Sequence, residues 1–368
     1  MKNRCIFPSN STSRMIAVWT VCGLMVGGSG SAYAQTDPYI DDLFDMDLEA
    51  LTVSVASKRD EKVIEAPSVV SVITKDEIHR YGARNLLDIL NRVPSLQYTN
   101  AAVFRNNAVS VRGQSNQIYS NRILFLINGR PFRDSFGGGL NMSLMLVFPV
   151  ESISHLEVIR GPGSVLYGTN AFSSVINIIT KEGKAEGEVY ARATYGSEEY
   201  RSGEVGVSKG GKDWNVMLSG KILDQKGWEN SLTSEFNVPG SYRQDDTGYG
   251  VMASGYYKGF NINSFLSKVD QKGLSVTFPV NQFEITRTFI DAGYRYDFYE
   301  NWSASVNLTF NRLEFSTQYA KDFIAEMTLS GEIYKDLNFL VGGSYEDQGG
   351  KTAGLTTDYD RKTYSGYM

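Results

Sequence analysis

The sequence predicts an α+β domain followed by an antiparallel transmembrane β-barrel wall that is incomplete at about nine strands. Three observations predict it. A leader-like segment opens the chain, the grammar of the sequence changes near Lys181-Glu182-Gly183-Lys184, and the residues beyond that break alternate apolar and polar over segments of barrel-wall length.

Residues 1–34 read as a secretory signal peptide. Lys2, Arg4 and Arg14 form a positive start, an apolar stretch runs from Met15 to about Val26, and Ala32-Tyr33-Ala34 offers a small-residue cleavage site before Gln35. The apolar stretch is short for a transmembrane helix. Thr20-Val21 before Cys22 are not the small residues of a lipoprotein site. Removing the leader shifts the net charge from −5 to −8 and takes away Cys5 and Cys22, the only cysteines. The rest of the chain therefore needs no disulfide. An acidic chain without a basic run argues against nucleic acid as a partner. No later segment has 18 consecutive apolar residues, so the remaining way across a bilayer is a closed β-barrel.

Residues 187–368 hold 16 of the 22 tyrosines and no convincing helix, which marks them as strand-forming. Trp302, Ala304, Val306, Leu308 and Phe310 fall on one face, and Ser303, Ser305, Asn307, Thr309 and Asn311 on the other. Trp214, Val216, Leu218 and Ile222 oppose Asn215, Ser219 and Lys221 in the same way. Strands are expected near 187–196, 200–209, 213–223, 246–258, 259–269, 286–298, 302–311, 323–334 and 337–347. A soluble β-sandwich alternates too, so the connections must discriminate. Tight turns at 210–212, 258–259, 299–301 and 335–336 alternate with long polar loops at 224–245, 270–285, 312–322 and 348–360, and the short connection at 197–199 breaks the rule. Short turns on one side and long loops on the other characterise outer-membrane barrels.

Before the break, Val69–Ile73 reads as a strand, and Thr74 with Glu77 forms a capping box that opens a short helix. Asn85 caps a second helix with Leu86, Leu87, Ile89 and Leu90 as its apolar face, ending before Pro94. Further strands are expected at 109–111, 123–127, 153–159 and 175–179, with a turn at Asn128-Gly129. Gly161, Gly163 and Gly168 permit sharp bends and close backbone approach. Gly161-Pro162-Gly163 lacks the Gly-Lys-Ser/Thr of a phosphate loop.

Three ordered motifs carry a family resemblance. ESISHLEVIRGPGSVLYGTNAFSSVINIITK (151–181) closely resembles the most characteristic segment of TonB-dependent outer-membrane receptor plugs, and SVRGQ (110–114) and RILFLINGRPF (122–132) resemble two more plug segments in the right order. Ser173-Ser174 departs from the small residues, including Gly, usual there. The resemblance implies a signal peptide (1–34), a periplasmic segment (35–63), a plug (64–182) and the first part of the barrel (187–368). The plug-motif residues are Arg112, Gly113, Asn128, Gly129, Arg160, Gly161, Pro162, Gly163, Tyr167 and Gly168. Arg112 and Arg160 read either as solvated arginines or, as the resemblance implies, as partners of barrel glutamates on later strands than those present.

Leu51-Thr52-Val53-Ser54-Val55, after an acidic stretch at 37–49, resembles a TonB box. A β-branched extended run can add to the edge of a partner's sheet. An ordinary linker or a first plug strand is the plain alternative. The implied partners are TonB, the outer-membrane bilayer and a scarce nutrient chelate, an iron–siderophore first, with cobalamin or haem as alternatives. Tyr98, Arg105, Tyr119, Arg133 and Phe136 are the expected ligand-facing residues, since aromatics and arginines suit bulky anionic iron chelates. Two separate histidines, His79 and His155, make a poor metal site, and no nucleophile, base and orienting group come together. The sequence therefore gives no reason to expect a catalytic residue, a bound metal or a cofactor.

A passive porin would lack the plug motifs. A barrel of about 22 strands at roughly 20 residues each needs well over 400 residues beyond the plug, so a truncated, non-transporting remnant is the other reading.

Overall fold

The computed structural model describes residues 52–54, 61–62, 68–99, 106–113, 120–135, 137–233, 239–243, 245–273, 281–299, 301–316, 318–334, 337–351 and 358–368. The leader, the acidic stretch at 37–49, Leu51 and Val55 lie outside the described residues.

Strand β1 (Thr52–Val53) pairs antiparallel with β2 (Glu61–Lys62). Strand β3 (Val70–Thr74) runs into helix α1 (Lys75–Arg80), and Thr74 and Glu77 make both reciprocal bonds of the capping box. The Asn85 side chain accepts from the Asp88 N–H at 3.0 Å and starts helix α2 (Leu86–Leu90). All four leucine and isoleucine side chains of α2 are buried, as the helical spacing predicts. Strands β4 (Leu96–Thr99) and β5 (Ala108–Val111) form a separate hairpin.

Strand β6 (Ile123–Ile127) is buried at every position and turns through Asn128-Gly129 into β7 (Arg130–Phe132). Both turn residues have positive φ, 48° and 77°, the geometry of a two-residue hairpin. Helix α3 (Met142–Val147) is buried on all sides. Strands β8 (Ile153–Ile159) and β9 (Ser174–Thr180), with helix α4 (Ser164–Tyr167) between them, complete a five-stranded sheet of order β3-β8-β9-β6-β7. Only β6 and β9 run parallel; the other neighbours are antiparallel. Strand β7 and helices α3 and α4 carry no short-range signal of the kind that announced α1 and α2.

Beyond residue 187 the chain forms β10 (Glu188–Gly196), β11 (Tyr200–Gly210), β12 (Trp214–Gln225), β13 (Glu229–Thr233), β14 (Pro239–Arg243), β15 (Asp246–Tyr257), β16 (Phe260–Gly273), β17 (Asn281–Tyr299), β18 (Trp302–Phe315), β19 (Gln318–Tyr334), β20 (Leu337–Lys351) and β21 (Tyr359–Tyr367). Ten of these make one antiparallel sheet in chain order, with β13 and β14 set aside as their own hairpin inside the expected loop 224–245. Among the described residues the sheet is unclosed: β10 and β21 each have one neighbour. The sheet has ten strands where about nine were expected, the tenth being the chain from Tyr359, which pairs with β20. The described residues of the expected loops at 270–285, 312–322 and 348–360 are also mostly strand, since the hairpins continue pairing past the apolar stretch that marked them.

Polarity across this sheet is inverted relative to a soluble domain. On β18, Thr309 and Asn311 are fully buried while Val306 and Leu308 are exposed. On β12, Ser219 and Lys221 are buried and Val216, Leu218 and Ile222 are about half exposed. A sandwich buries its apolar face; only a wall bathed in lipid turns it outward. The buried face is not uniformly polar, however. Met252, Phe265 and Phe289 point inward and join the core of the five-stranded unit, beside Phe132 and Phe148. That apolar patch is where the unit seats against the wall.

Candidate functional site

The seat is held by arginines of β7 and the residues after it. Arg130 donates from Nε to Asp291 Oδ1 at 3.1 Å, from Nη1 to Glu326 Oε2 at 2.6 Å and from Nη2 to Thr309 Oγ1 at 3.2 Å. One guanidinium thus reaches β17, β18 and β19 together. Burial works against its charge, but Glu326 and Asp291 outweigh that and raise its pKa further. Pro131 accepts from Asn311 Nδ2 at 2.9 Å, and Ser135 donates its N–H to Asp322 at 2.9 Å. Arg287 of β17 points back, donating to the Arg133 carbonyl at 3.0 Å with its guanidinium 4.2 Å from the Phe132 ring centroid. At the other edge, Arg192 of β10 donates to the Ala83 carbonyl at 2.9 Å and to Glu151 at 3.1 Å.

The predicted residues distribute as follows. Asn128 spends its amide on Thr180 and on Asn263 of β16, at 2.9 and 2.6 Å, so the turn itself touches the wall. Arg112 is exposed with φ at 51°, and neither Arg112 nor Arg160 makes an ion pair among the described residues. The plug-to-wall arginines seen are Arg130 and Arg133, which the sequence did not single out for this role. Gly163 lies where a side chain would meet Val175 at 2.5 Å, and Gly168 adopts φ 69° and ψ −132°. Gly161 shows neither constraint. Pro162 leads into α4, whose Tyr167 is buried beside Leu124 and Val175; burial pushes the Tyr167 phenol up. Ser174 fits its fully buried position by bonding the Ile159 carbonyl.

Of the expected ligand-facing residues, Arg105, Tyr119 and Phe136 lie outside the described residues. Tyr98 is partly exposed and donates to Asn106 at 2.9 Å. Arg133 is not at a tip: it is buried, 2.6 Å from Glu346 and bonded to Thr169 at 2.7 Å. Arginine is as suited to buried pairing as to ligand contact, and its neighbours in space decide which.

Of the residues expected to form the coupling segment, Val53 is 1% exposed and Ser54 is tied to β8 through Glu157. A polar cavity of about 640 Å³ opens beside Ser54, bounded by Asn128, Arg130, Tyr167, Asn263 and Glu326. His79 lies 3.2 Å from Glu151, and His155 lies 3.4 Å from Glu157. No group of three or more potential metal ligands occurs among the described residues.

A family model described as TonB-dependent Receptor Plug Domain matches residues 62–175. The chain carries a TonB-dependent receptor plug domain. The ten-stranded sheet around the plug is part of an outer-membrane β-barrel wall, and the plug's arginines fasten the two together. Curated relatives include the vitamin B12 transporter BtuB of Vibrio vulnificus, 26% identical over 264 residues, which are 70% of this chain and 39% of that protein. BtuB of Photobacterium profundum is 28% identical over 206 residues, 54% of this chain and 30% of that protein. Among solved structures, the pyoverdine outer membrane receptor FpvA of Pseudomonas aeruginosa PAO1 superposes with a TM-score of 0.61 at 16% identity, over 85% of this chain and 51% of that one. A ferric enterobactin receptor (PfeA) mutant from Pseudomonas aeruginosa gives 0.61 at 16% identity, over 85% and 55%. At that identity the likeness is one of fold. The chain matches well under half the length of these curated relatives and about half that of the solved receptors. No described helix is long and apolar enough to cross a membrane.

Proposed function

We propose that the receptor to which this chain contributes imports a scarce nutrient chelate across the bacterial outer membrane, driven by TonB. The observation that carries this reading is a folded plug fastened by buried arginines inside a wall with an apolar outer face. A passive pore has no use for such a plug. The plug and its leading segment, residues 35–63 and 64–182, face the periplasm, after a signal peptide at 1–34 and before the barrel from 187 onward. Residues 51–55 are the coupling segment, which adds as a strand to the sheet edge of TonB. The activity is transport and not enzymatic turnover.

Two ligand classes have separate support. The names of the sequence relatives favour a cobalamin. The aromatic and basic residues expected at the plug tips, Tyr98, Arg105, Tyr119 and Phe136, favour an iron–siderophore; Arg133 drops out because it is committed to Glu346. Growth of a strain dependent on the intact gene, supplied with defined cobalamin or ferric-siderophore sources, distinguishes them. Val53→Pro in that gene removes a main-chain donor from the coupling segment. It is expected to abolish uptake while ligand binding to whole cells stays at the parental level. Undiminished uptake in the Val53→Pro strain overturns the reading.

A further inference from the structure

The outward face of the wall changes character at one level. On β18 the outward residues Trp302, Ala304, Val306, Leu308 and Phe310 are apolar, and the next two on that face, Arg312 and Glu314, are charged. Register carries the change across the sheet: Phe310 stands opposite Phe323 on β19, and Arg312 stands opposite Lys321. Strand β18 climbs from the short turn after β17 towards the end where long connections follow β12 and β16, which is the extracellular end. Arg312 lies ten positions beyond Trp302, roughly 34 Å along a strand and about 25 Å along the membrane normal at the usual tilt. That is the height of the apolar band of such walls. Arg312 and Lys321 therefore stand at the level of the outer-leaflet headgroups.

Two like charges directly opposed on neighbouring strands are unfavourable. Glu314 lies 2.5 Å from Arg312 and answers that charge. Lys321 is exposed and makes no ion pair among the described residues. Its neighbours across the ladder are Arg312 on one side and Gly349, which has no side chain, on the other. Above it is Tyr319, whose ring centroid lies 5.3 Å from Nζ and whose hydroxyl is spent on Asp358; below it is Phe323. The other acids of this face stand on the next strands: Asp347 is opposite Lys362, and Asp360 is opposite Gly349. A lysine set between a like charge, a glycine and two aromatic rings suits an anion that carries an apolar body beneath it.

We propose that Arg312 and Lys321 hold the phosphate group of an outer-leaflet lipid whose acyl chains lie over Phe310 and Phe323. The phosphate supplies the negative charge that the register withholds, and two cations that repel in a neutral surrounding become joint donors to one anion. Lys351, exposed and opposite Tyr319, borders the same point. The site is independent of which nutrient the receptor imports.

Native mass spectrometry of the full-length protein, purified in neutral detergent and titrated with phosphatidylglycerol, reads lipid occupancy directly. Lys321→Gln is expected to weaken the most tightly held lipid about fivefold, the worth of one basic residue near an anionic surface, and Lys321→Arg should restore it. Lys268 controls for general surface charge, because it lies one row above Arg312 on the same face but is answered by Glu284 at 2.9 Å. Lys268→Gln should leave occupancy close to the parent. Stability should respond with opposite signs in two surroundings. In phosphatidylcholine vesicles Lys321→Gln should unfold in urea at or above the parental midpoint, since it relieves the repulsion. With phosphatidylglycerol included, the parent should gain and the variant should not. Inorganic phosphate added to the phosphatidylcholine vesicles should not reproduce that gain. Equal phosphatidylglycerol occupancy in the parent and Lys321→Gln overturns the proposal, as does an equal loss in Lys268→Gln. A gain from inorganic phosphate alone overturns the assignment to a lipid.

Discussion

Arg130 of the plug and Glu326 of β19 meet at 2.6 Å, and the same guanidinium also holds Asp291 of β17. The pairing joins residues 196 positions apart in sequence. It lies beside the cavity that borders Ser54.

Removing that cation strands two buried carboxylates. Arg130→Ala is expected to destabilise the plug against the wall by about 3–5 kcal/mol, the range for breaking a buried pair. Arg130→Lys should recover only part, because a point charge cannot serve three strands at once. Limited proteolysis of the plug in detergent, with urea midpoints of the released fraction, reads the difference.

The motif glycines are expected to differ in tolerance. Gly168→Ala must hold a side chain at φ 69° and ψ −132°, a region essentially reserved for glycine, at a cost of order 1–3 kcal/mol. Gly163→Ala drives a methyl into Val175. Gly161→Ala meets nothing within 4 Å and should be neutral to within about 0.5 kcal/mol. Denaturant midpoints that fail to separate Gly161→Ala from the other two would contradict this ordering.

The contact between Ser54 and Glu157 should respond to acid. Burial works to raise this carboxyl above its ordinary 4.5, but hydrogen bonds from His155, Asn177 and the Ser54 N–H together hold it below. A depressed folded-state value means that this contact is fully stabilised above about pH 4.5 and weakens as the pH falls through the lower, folded-state value. His155 lies 3.4 Å from this carboxylate, and the Tyr167 phenol feels the Glu157 charge as well. A nitroxide attached through Thr52→Cys should therefore grow more mobile on acidification, and Glu157→Gln should show no such transition.

A charge on the outer face should cost more than water would exact. Met327 is 65% exposed in the middle of β19, so in a soluble protein Met327→Arg would be close to neutral. In a lipid-bathed wall the expected penalty is about 2–4 kcal/mol near the bilayer midplane. Thr328→Arg, on the inner side of the same strand, should escape that penalty. Folding into lipid vesicles measured for both variants provides the comparison.

Much of this architecture was legible because it rests on short-range rules. The Thr74–Glu77 box, the Asn85 cap, the Asn128-Gly129 turn and the period-two stretches each declare themselves within a few residues. The strand ends did not, since pairing outside the apolar band depends on the neighbouring hairpin and not on hydropathy. The site was harder still. Arg133 reads as an exposed tip in sequence, yet Glu346 and Thr169 enclose it in space. Arg130 gave no local signal, because its partners come from strands more than a hundred residues away, and Glu157 gave little, because its Ser54 partner lies 103 residues back. A buried-looking strand containing one glutamate, as at 153–159, is the clue that could have pointed to Glu157. Arg130 could have been suspected only from its place beside Asn128-Gly129, and Asp291 and Glu326 only as acids on the inward beat of their strands.

The outward-turned belt of Val216, Leu218, Val306, Leu308 and Met327 dictates how the molecule must be handled. Stripped of amphiphile, those faces have no solvent that suits them, and two such sheets would cover one another before either found its proper surroundings. Purification therefore has to keep a micelle or nanodisc in place at every step, and a preparation that stays clear in plain buffer would not be the native form.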